Sequence, residues 1–392
     1  MKSLFKLSII LACLLLIIIS CSDDPSSIGV NLIGNEYLVL NNFNTQDDST
    51  TQTSHYYKNI GSLGLSSRIF IGKRGDLEAS TLMKFDFIIN DSLQDNFLDD
   101  LIKINYAGIR LLPEYTYNDA AQSMDFTVHK ITNYWTSSFY TIDSLPTLTY
   151  DNTDLISNRS FNDSLYTFNI DKNIVLSWIK SSIDTNLEKN YGIYFKPTAG
   201  SGKIVGFPAF SLYDTLYAKL TVVVEKPGFY TDTLSGFLTS DVSVISGNLP
   251  TLPNGEIAVQ GGLVVESKLF FDLKNIPKNV IINNAQLILN QDTTNSILSK
   301  SGAGTIRIFS VVDSTTDSVN TSNTVLMTRQ DDIFTGNITS FVNNWVNYQN
   351  NQGMILTTGT QTDNLELVAI KGSNYADFKQ RPQIKVVYTS KK

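Results

Sequence analysis

The sequence is poor in the residues on which chemistry most often depends. It holds two cysteines and two histidines in 392 residues, and only 17% of its side chains are charged. Both cysteines, Cys13 and Cys21, fall within the first 21 positions, so the rest of the chain offers no thiol for a disulfide, a thiolate metal site or a nucleophile. Of the histidines, His129 sits in the strand-like "FTVHKI", where a single half-buried imidazole is a structural residue, and His55 stands alone. No G-x-S-x-G, P-loop, H-E-x-x-H or EF-hand pattern occurs. Lysine and arginine form no cluster and the formal charge is −7, which opposes a nucleic-acid partner, because phosphate binding needs grouped cations to displace counterions. These absences predict a protein that is not an enzyme and binds no nucleic acid.

The first residues are informative. Lys2 and Lys6 precede an apolar run, Leu7 to Ile19, of 13 residues. That length suits the apolar region of a signal peptide and falls short of the roughly 20 residues that cross a bilayer. Ile18, Ile19 and Ser20 before Cys21 resemble the lipobox of bacterial lipoproteins, in which the cysteine is acylated. Cys13 has a similar lead-in, but cleavage there would leave LLLIII at the new terminus. The sequence therefore predicts a signal peptide over 1–20, lipidation of Cys21 and a polar tether over 21–36. Asp23 and Asp24 resemble the acidic export signal of Bacteroidota surface lipoproteins, which implies an outer-membrane, cell-surface location. The expected membrane contact is the lipid anchor.

Beyond the tether, short runs rich in β-branched and aromatic residues alternate with Asn, Asp, Gly and Ser clusters, and long helical patterns are nearly absent. The runs recur in order. "LMKFDF" from Leu82 is echoed by "LFFDL" from Leu269, "INYAGIRLL" from Ile104 by "INNAQLILN" from Ile282, and "FTVHKI" from Phe126 by "IRIFSV" from Ile306. "FNIDKNIVLSWI" from Phe168 matches "GNITSFVNNWV" from Gly336, "NYGIYF" from Asn190 matches "NQGMIL" from Asn351, and "AKLTVVVE" from Ala218 matches "PQIKVVYT" from Pro382. Six ordered blocks about 160 to 190 residues apart predict two copies of one domain rather than a solenoid. The expected fold is all-β, two tandem jelly-roll-like β-sandwich domains over 37–227 and 228–392, each with one short helix. Pro227 and Gly228 mark the boundary.

In the helical inserts, Ile174, Val175 and Trp178 share one face with Ile179, as do Phe341, Val342 and Trp345 with Val346. Trp178 and Trp345 are thus predicted to pack inward. Asp86 and Asp272 occupy equivalent places in different copies, which suits a structural hydrogen bond better than a shared carboxylate pair.

The shared blocks (an F-D strand, an "I..A" strand, a Trp-bearing helix, an "N.G" strand and a closing "V.V" strand) resemble the DNRLRE or disaggregatase-related domains. One branch of these is classed as a carbohydrate-binding module. The resemblance implies jelly-roll sandwiches and, in one branch, glycan binding. Copy one keeps Trp135 in the loop "ITNYWTSSFYTIDSLPTLTYDN", whereas the corresponding "DSTTDSVNTSNTVLMTRQDD" of copy two has no Trp. Tyr115, Tyr117, Tyr134, Trp135 and Tyr140, grouped in loops of copy one, are the candidate ligand-binding residues, since aromatic faces stack on sugar C–H groups. Aromatics that close the end of a sandwich are the competing reading. The partner is then a polysaccharide or, as the alternative, a protein of the envelope assembly. "DNTD" (151–154) and "RQDD" (329–332) offer oxygen ligands of the kind calcium takes, but solvated turns are the favoured reading of both, and no cofactor is expected.

Overall fold

The computed structural model describes residues 38–47, 50–119, 122–162, 164–210, 216–299 and 304–391. The signal peptide, Cys21 and the tether lie outside these residues.

The chain opens with β1 (Leu38–Asn44) and β2 (Gln52–Lys58). It continues through β3 (Arg68–Arg74), β4 (Leu77–Asp86), helix α1 (Asp91–Leu98), β5 (Lys103–Leu111), β6 (Tyr115–Thr116), β7 (Phe126–Lys130), β8 (Ile156–Asn162) and β9 (Leu165–Ile170). Helix α2 (Lys172–Ile183), β10 (Ile193–Pro197), β11 (Ile204–Pro208), β12 (Lys219–Lys226) and the long β13 (Tyr230–Ser246) complete the first half. The second half runs through β14 (Glu256–Gln260), β15 (Val265–Phe271), β16 (Ile281–Ile297), β17 (Ile306–Asp313), β18 (Ser318–Gln330) and β19 (Ile333–Asn337). Helix α3 (Thr339–Asn347), β20 (Met354–Thr358), β21 (Leu367–Lys371) and β22 (Gln383–Lys391) follow. The fold is mostly β, as expected. The first half carries one helix more than expected: α1, whose Phe97 is fully buried in a mostly polar segment.

The two halves pair their strands in the same order. One sheet of the first half runs β13–β12–β5–β9–β8, and its counterpart in the second runs β1–β22–β16–β19–β18. In the other sheet, β4 joins β13, β3 and β10, with β11 beyond β3 and β7 beyond β10. Likewise β15 joins β2, β14 and β20, with β21 beyond β14 and β17 beyond β20. All six sequence blocks fall on corresponding elements. The halves differ in closure: β17 also pairs β18 and β16 also pairs β21, so that β16, β19, β18, β17, β20, β15, β14 and β21 close into an eight-stranded barrel.

Strand pairing crosses the expected 227/228 boundary in both directions. β13, beyond that boundary, straps the first half: residues 230–236 pair with β12 and residues 237–246 with β4. β1 and β2, which precede the first half, perform the same task for the second by pairing with β22 and β15.

Each half encloses its own core, with Phe85, Phe126, Phe168 and Phe195 in one, and Phe271, Phe334 and Phe341 in the other. Burying each such ring contributes about 1.5–3 kcal/mol. Trp178 and Trp345 are buried in these cores, as their helical spacing predicts. A third apolar cluster joins the halves, with Phe70, Tyr115, Tyr117 and Ile245 against Ala258, Leu263, Val265 and Leu365.

Candidate functional site

The end of the first half is built around an Asn-x-Gly turn. Asn190 Nδ2 donates to the Phe85 carbonyl at 2.6 Å while its Oδ1 accepts from Gly192 N at 2.8 Å. Gly192 has φ +86°, and a Cβ there would lie 2.2 Å from the Met83 carbonyl oxygen. Only glycine fits that backbone without strain. The second half repeats the device: Asn351 Nδ2 donates to the Phe271 carbonyl at 2.7 Å, its Oδ1 accepts from Gly353 N at 3.2 Å, and Gly353 has φ +87°. The spacing shared by the two copies in this block thus reflects a backbone junction.

A cleft of about 490 Å³ opens over this turn, between the end of β4, the end of α2 and the loop after β7. Tyr134, Trp135 and Tyr191 form its aromatic side, and Lys84, Asp86 and Lys189 its charged side. Tyr134 is 76% exposed. Trp135 is half-buried, and its Nε1 donates to the Tyr191 carbonyl at 2.7 Å, which fixes one wall. Asp86 accepts from Thr239 Oγ1 at 3.0 Å and pairs with Lys84 at 3.1 Å. It bonds a neighbouring strand, the structural task predicted for it. Lys84, Lys189 and Tyr191 were not singled out from the sequence. Tyr191 sits inside the repeated "NYGIYF" block, where a position that differs between copies, Tyr191 against Gln352, was the available signal.

The five candidate aromatics do not converge. Tyr134 and Trp135 line the cleft, but Tyr115 and Tyr117 are buried in the joint between the halves and Tyr140 is buried edge-on against Trp135, outside the cleft lining, which removes all three from the candidate surface. Tyr115, 5% exposed, lies in the joint between the halves, where its hydroxyl accepts from Leu365 N at 3.2 Å, Phe70 meets its ring edge-on and Arg68 lies over its ring. Tyr117 packs in the same joint, and burial pushes its hydroxyl up to about 12. Tyr140 belongs to a smaller cluster in which the loop after β7 folds onto the outside of the sheet, against Leu82, Tyr194, Val242 and Val244. Burial likewise raises Tyr140 to about 12. The physical reason is common to all three: large amphipathic rings close packing joints where a hydroxyl can still find a partner or water.

At the corresponding place in the second half is a cleft of about 500 Å³, lined by Phe270, Asp272, Lys274, Lys278, Trp345 and Asn351 among others. Lys274 pairs with Asp272 at 2.9 Å and holds its carboxyl below the ordinary aspartate value. Its one tryptophan is buried, so this cleft has no counterpart to exposed Tyr134.

His129 is buried in β7 and bonded at both ring nitrogens. Its Nδ1 faces the Asp151 and Thr153 carbonyls at 3.0 and 3.1 Å and therefore carries the proton, and Nε2 meets Thr127 Oγ1 at 2.8 Å. In "DNTD", Asp154 Oδ1 accepts from Val128 N and its Oδ2 pairs with Arg159. In "RQDD", Arg329 donates to Gln291 Oε1 at 3.0 Å. Among the described residues, no three His, Cys, Asp or Glu side chains group around a common point. No family model, curated protein or solved structure matches this chain.

Proposed function

We propose that the chain is a lipid-anchored, non-catalytic protein of the cell surface that binds a polysaccharide in the cleft of its first half. The observation that carries this reading is the cleft itself. It sets the exposed ring of Tyr134 and the fixed edge of Trp135 opposite Lys84, Asp86 and Lys189, the pairing of a flat apolar face with a few placed polar groups that sugars require. The strand-for-strand agreement of the halves supports two copies of a jelly-roll-like sandwich, the second with its seams closed. The anchor at Cys21 rests on the lipobox-like "IISC" and the short apolar run before it.

A polysaccharide array probed with the mature chain tests the binding. Tyr134→Ala removes an exposed ring without touching a core, and should weaken binding several-fold, up to about tenfold, since ring stacking contributes about 0.5–1.5 kcal/mol. No binding to any polysaccharide, or binding indifferent to the substitution, overturns the reading. For the anchor, Cys21→Ser should abolish labelling by radioactive palmitate and release the protein from membranes. Continued labelling places the lipid elsewhere.

A further inference from the structure

The two halves fasten one equivalent seam with opposite chemistry, where the chain leaving β5 meets β11 and where β16 meets β21. Counted on from the repeated "INYAGIRLL" and "INNAQLILN", Glu114 of the first half stands where Asp292 stands in the second. By pairing, Arg68 opposite Pro208, the last residue of β11, matches Glu256 opposite Lys371, the last residue of β21. In the first half these side chains reach each other across β11: Arg68 Nε donates to Glu114 Oε1 at 2.7 Å. Gly206 lets the arginine pass, since a Cβ there would lie 2.5 Å from Arg68 Cδ. In the second half Ala369 is the small residue at that place, opposite both Ala258 and Asp292. The two side chains that bond to each other over β21 are both carboxyls, Glu256 and Asp292. Two carboxylates in contact cannot both ionise freely, so the pair holds one proton.

The surroundings tie this pair to the closure of the barrel. β16 pairs with β21 at Gln291, Asp292 and Ile297, and the register breaks between the last two. Side chains fasten the break: Ser296 Oγ accepts from Ala369 N at 3.0 Å, Asp292 Oδ1 accepts from Thr294 N at 2.8 Å, and Asn295 Nδ2 donates to Glu256 Oε2 at 3.2 Å. Beyond it, Ile297 packs on the apolar cluster that joins the halves. The charged groups acting on Glu256 are Asp292 from β16 and Lys371 from β21. Lys371 is turned aside, its ammonium bonded to Gln380 Oε1 and lying over the Tyr375 ring. On the joint side, Arg74 and Asp76 line a cleft with Ile297.

We propose that the proton shared by Glu256 and Asp292 is a latch: it holds the β16–β21 seam of the barrel shut, and its loss sets two carboxylates against each other across β21, loosening the seam and the seat of Ile297 between the halves. Burial, and then the Asp292 carboxyl, push Glu256 up to about 7 from an ordinary 4.5. The closed seam therefore keeps the proton to about pH 7, and an opened seam releases it near 4.5. Closure is strongest below about pH 4.5, weakens as pH rises to 7 and changes no further above it. The Arg68–Glu114 pair of the first half depends on no such proton.

Hydrogen exchange of the mature chain, corrected for the intrinsic pH dependence of amide exchange, tests the latch. Protection of the β21 amides, Ala369 among them, should fall about tenfold between pH 6 and pH 8, while the β11 amides should keep theirs to within about twofold. Glu256→Gln leaves a neutral donor toward Asp292, and Glu256→Arg rebuilds the ion pair of the first half. Either substitution should abolish the fall. Glu256→Gln preserves the shape of the side chain and decides the outcome if the arginine variant does not fold. The ¹³C carboxyl signal of Glu256 should titrate near 7. Equal protection of β21 at both pH values, a fall that survives Glu256→Gln, an equal fall in β11, or a Glu256 that titrates near 4.5 overturns the proposal.

Discussion

Position by position, the two halves show how one strand order accommodates opposite surfaces. On the first half, the outward side of the sheet carries Leu82, Tyr194, Val242 and Val244, and the loop between β7 and β8 folds over them with Tyr140, Leu148 and two 3₁₀ turns, Ser137–Phe139 and Ile142–Thr147. On the second half, register places Lys268 at the position of Leu82, Ile355 at that of Tyr194, and His55 and Tyr57 at those of Val242 and Val244. There the chain makes the paired β17 and β18 instead of a covering loop, and Lys268 reaches Asp317 while Tyr57 donates to Glu266 at 3.3 Å. An apolar outer face and a covering loop come together, as do a polar outer face and a closed barrel. The core and its turns are held in common, and the clefts and outer faces are where the copies have diverged.

The sharpest way to break the comparison is to remove a strap. Deleting residues 1–58 takes β1 and β2 from the second half and leaves the first half with all its own strands. The second half loses the partners of β22 and β15, together with the buried Phe43. The expected outcome is loss of the second half's dispersed amide signals and its protection from protease, with the first half folded. A permutant in which residues 38–58 follow Lys391 should restore both. If the deleted chain keeps a folded second half, the equivalence of β1 and β2 with β13 is wrong.

A smaller perturbation tests whether the Asn-x-Gly junction is the same device twice. Gly192→Ala forces a Cβ toward the Met83 carbonyl, and Gly353→Ala forces one to 2.5 Å from the Leu269 carbonyl oxygen, both at φ near +86°. Left-handed strain and overpacking together predict a loss of about 2–4 kcal/mol in the half that carries the change. Denaturant unfolding followed by signals from each half reads this directly. Similar losses sharpen the comparison, and a neutral effect in either half removes that glycine from the argument.

What the sequence made legible, and what it hid, follows from the same physics. The six repeated blocks were visible because they hold core-facing side chains and a turn that only glycine fits, constraints that both copies inherit. The straps were invisible because pairing through backbone amides imposes no shared side-chain pattern: "LVLNNFN" and "QTSHYYK" have little in common with "YTDTLSGFLTSDVSVIS", yet they occupy the same edges. Helix α1 has no legible period because Leu93 and Phe97 are its inward apolar residues while its last, Leu98, is exposed. Of the aromatics, Tyr134 could be placed at a surface only after the loop was seen to lie on the sheet. Composition cannot distinguish a ring that closes a joint, such as Tyr115 or Tyr140, from one that lines a cleft.

The straps also differ in how they fasten, and this yields the smallest predicted effect. In the second half, Ser54 on β2 accepts from Ser373 N at 2.8 Å, just past the end of β21. In the first half, the corresponding bond runs from Phe210 N, just past β11, to Asp241 on β13 at 2.6 Å. A serine does with a neutral hydroxyl what Asp241 does with a carboxylate, and burial pushes that carboxyl up to about 6. The native state therefore holds this proton to about pH 6, while the unfolded chain releases it near 3.8. Between those values folding binds the extra proton, so the contribution of Asp241 to stability is full below about pH 4, declines as pH rises through 6, and stays lost above it. Asp241→Asn keeps an acceptor for Phe210 N without the charge. The variant should match the parent at pH 4 and exceed it at pH 7.5 by on the order of 2 kcal/mol in the first half alone, measured by urea unfolding at both values. Glu256, which burial raises to about 7, supplies a separate pH dependence to the second half, and Asp241→Asn should leave that slope untouched. Equal stabilisation at both pH values would show that folding does not change the protonation of Asp241 between them, and would remove this fastener as a source of pH dependence.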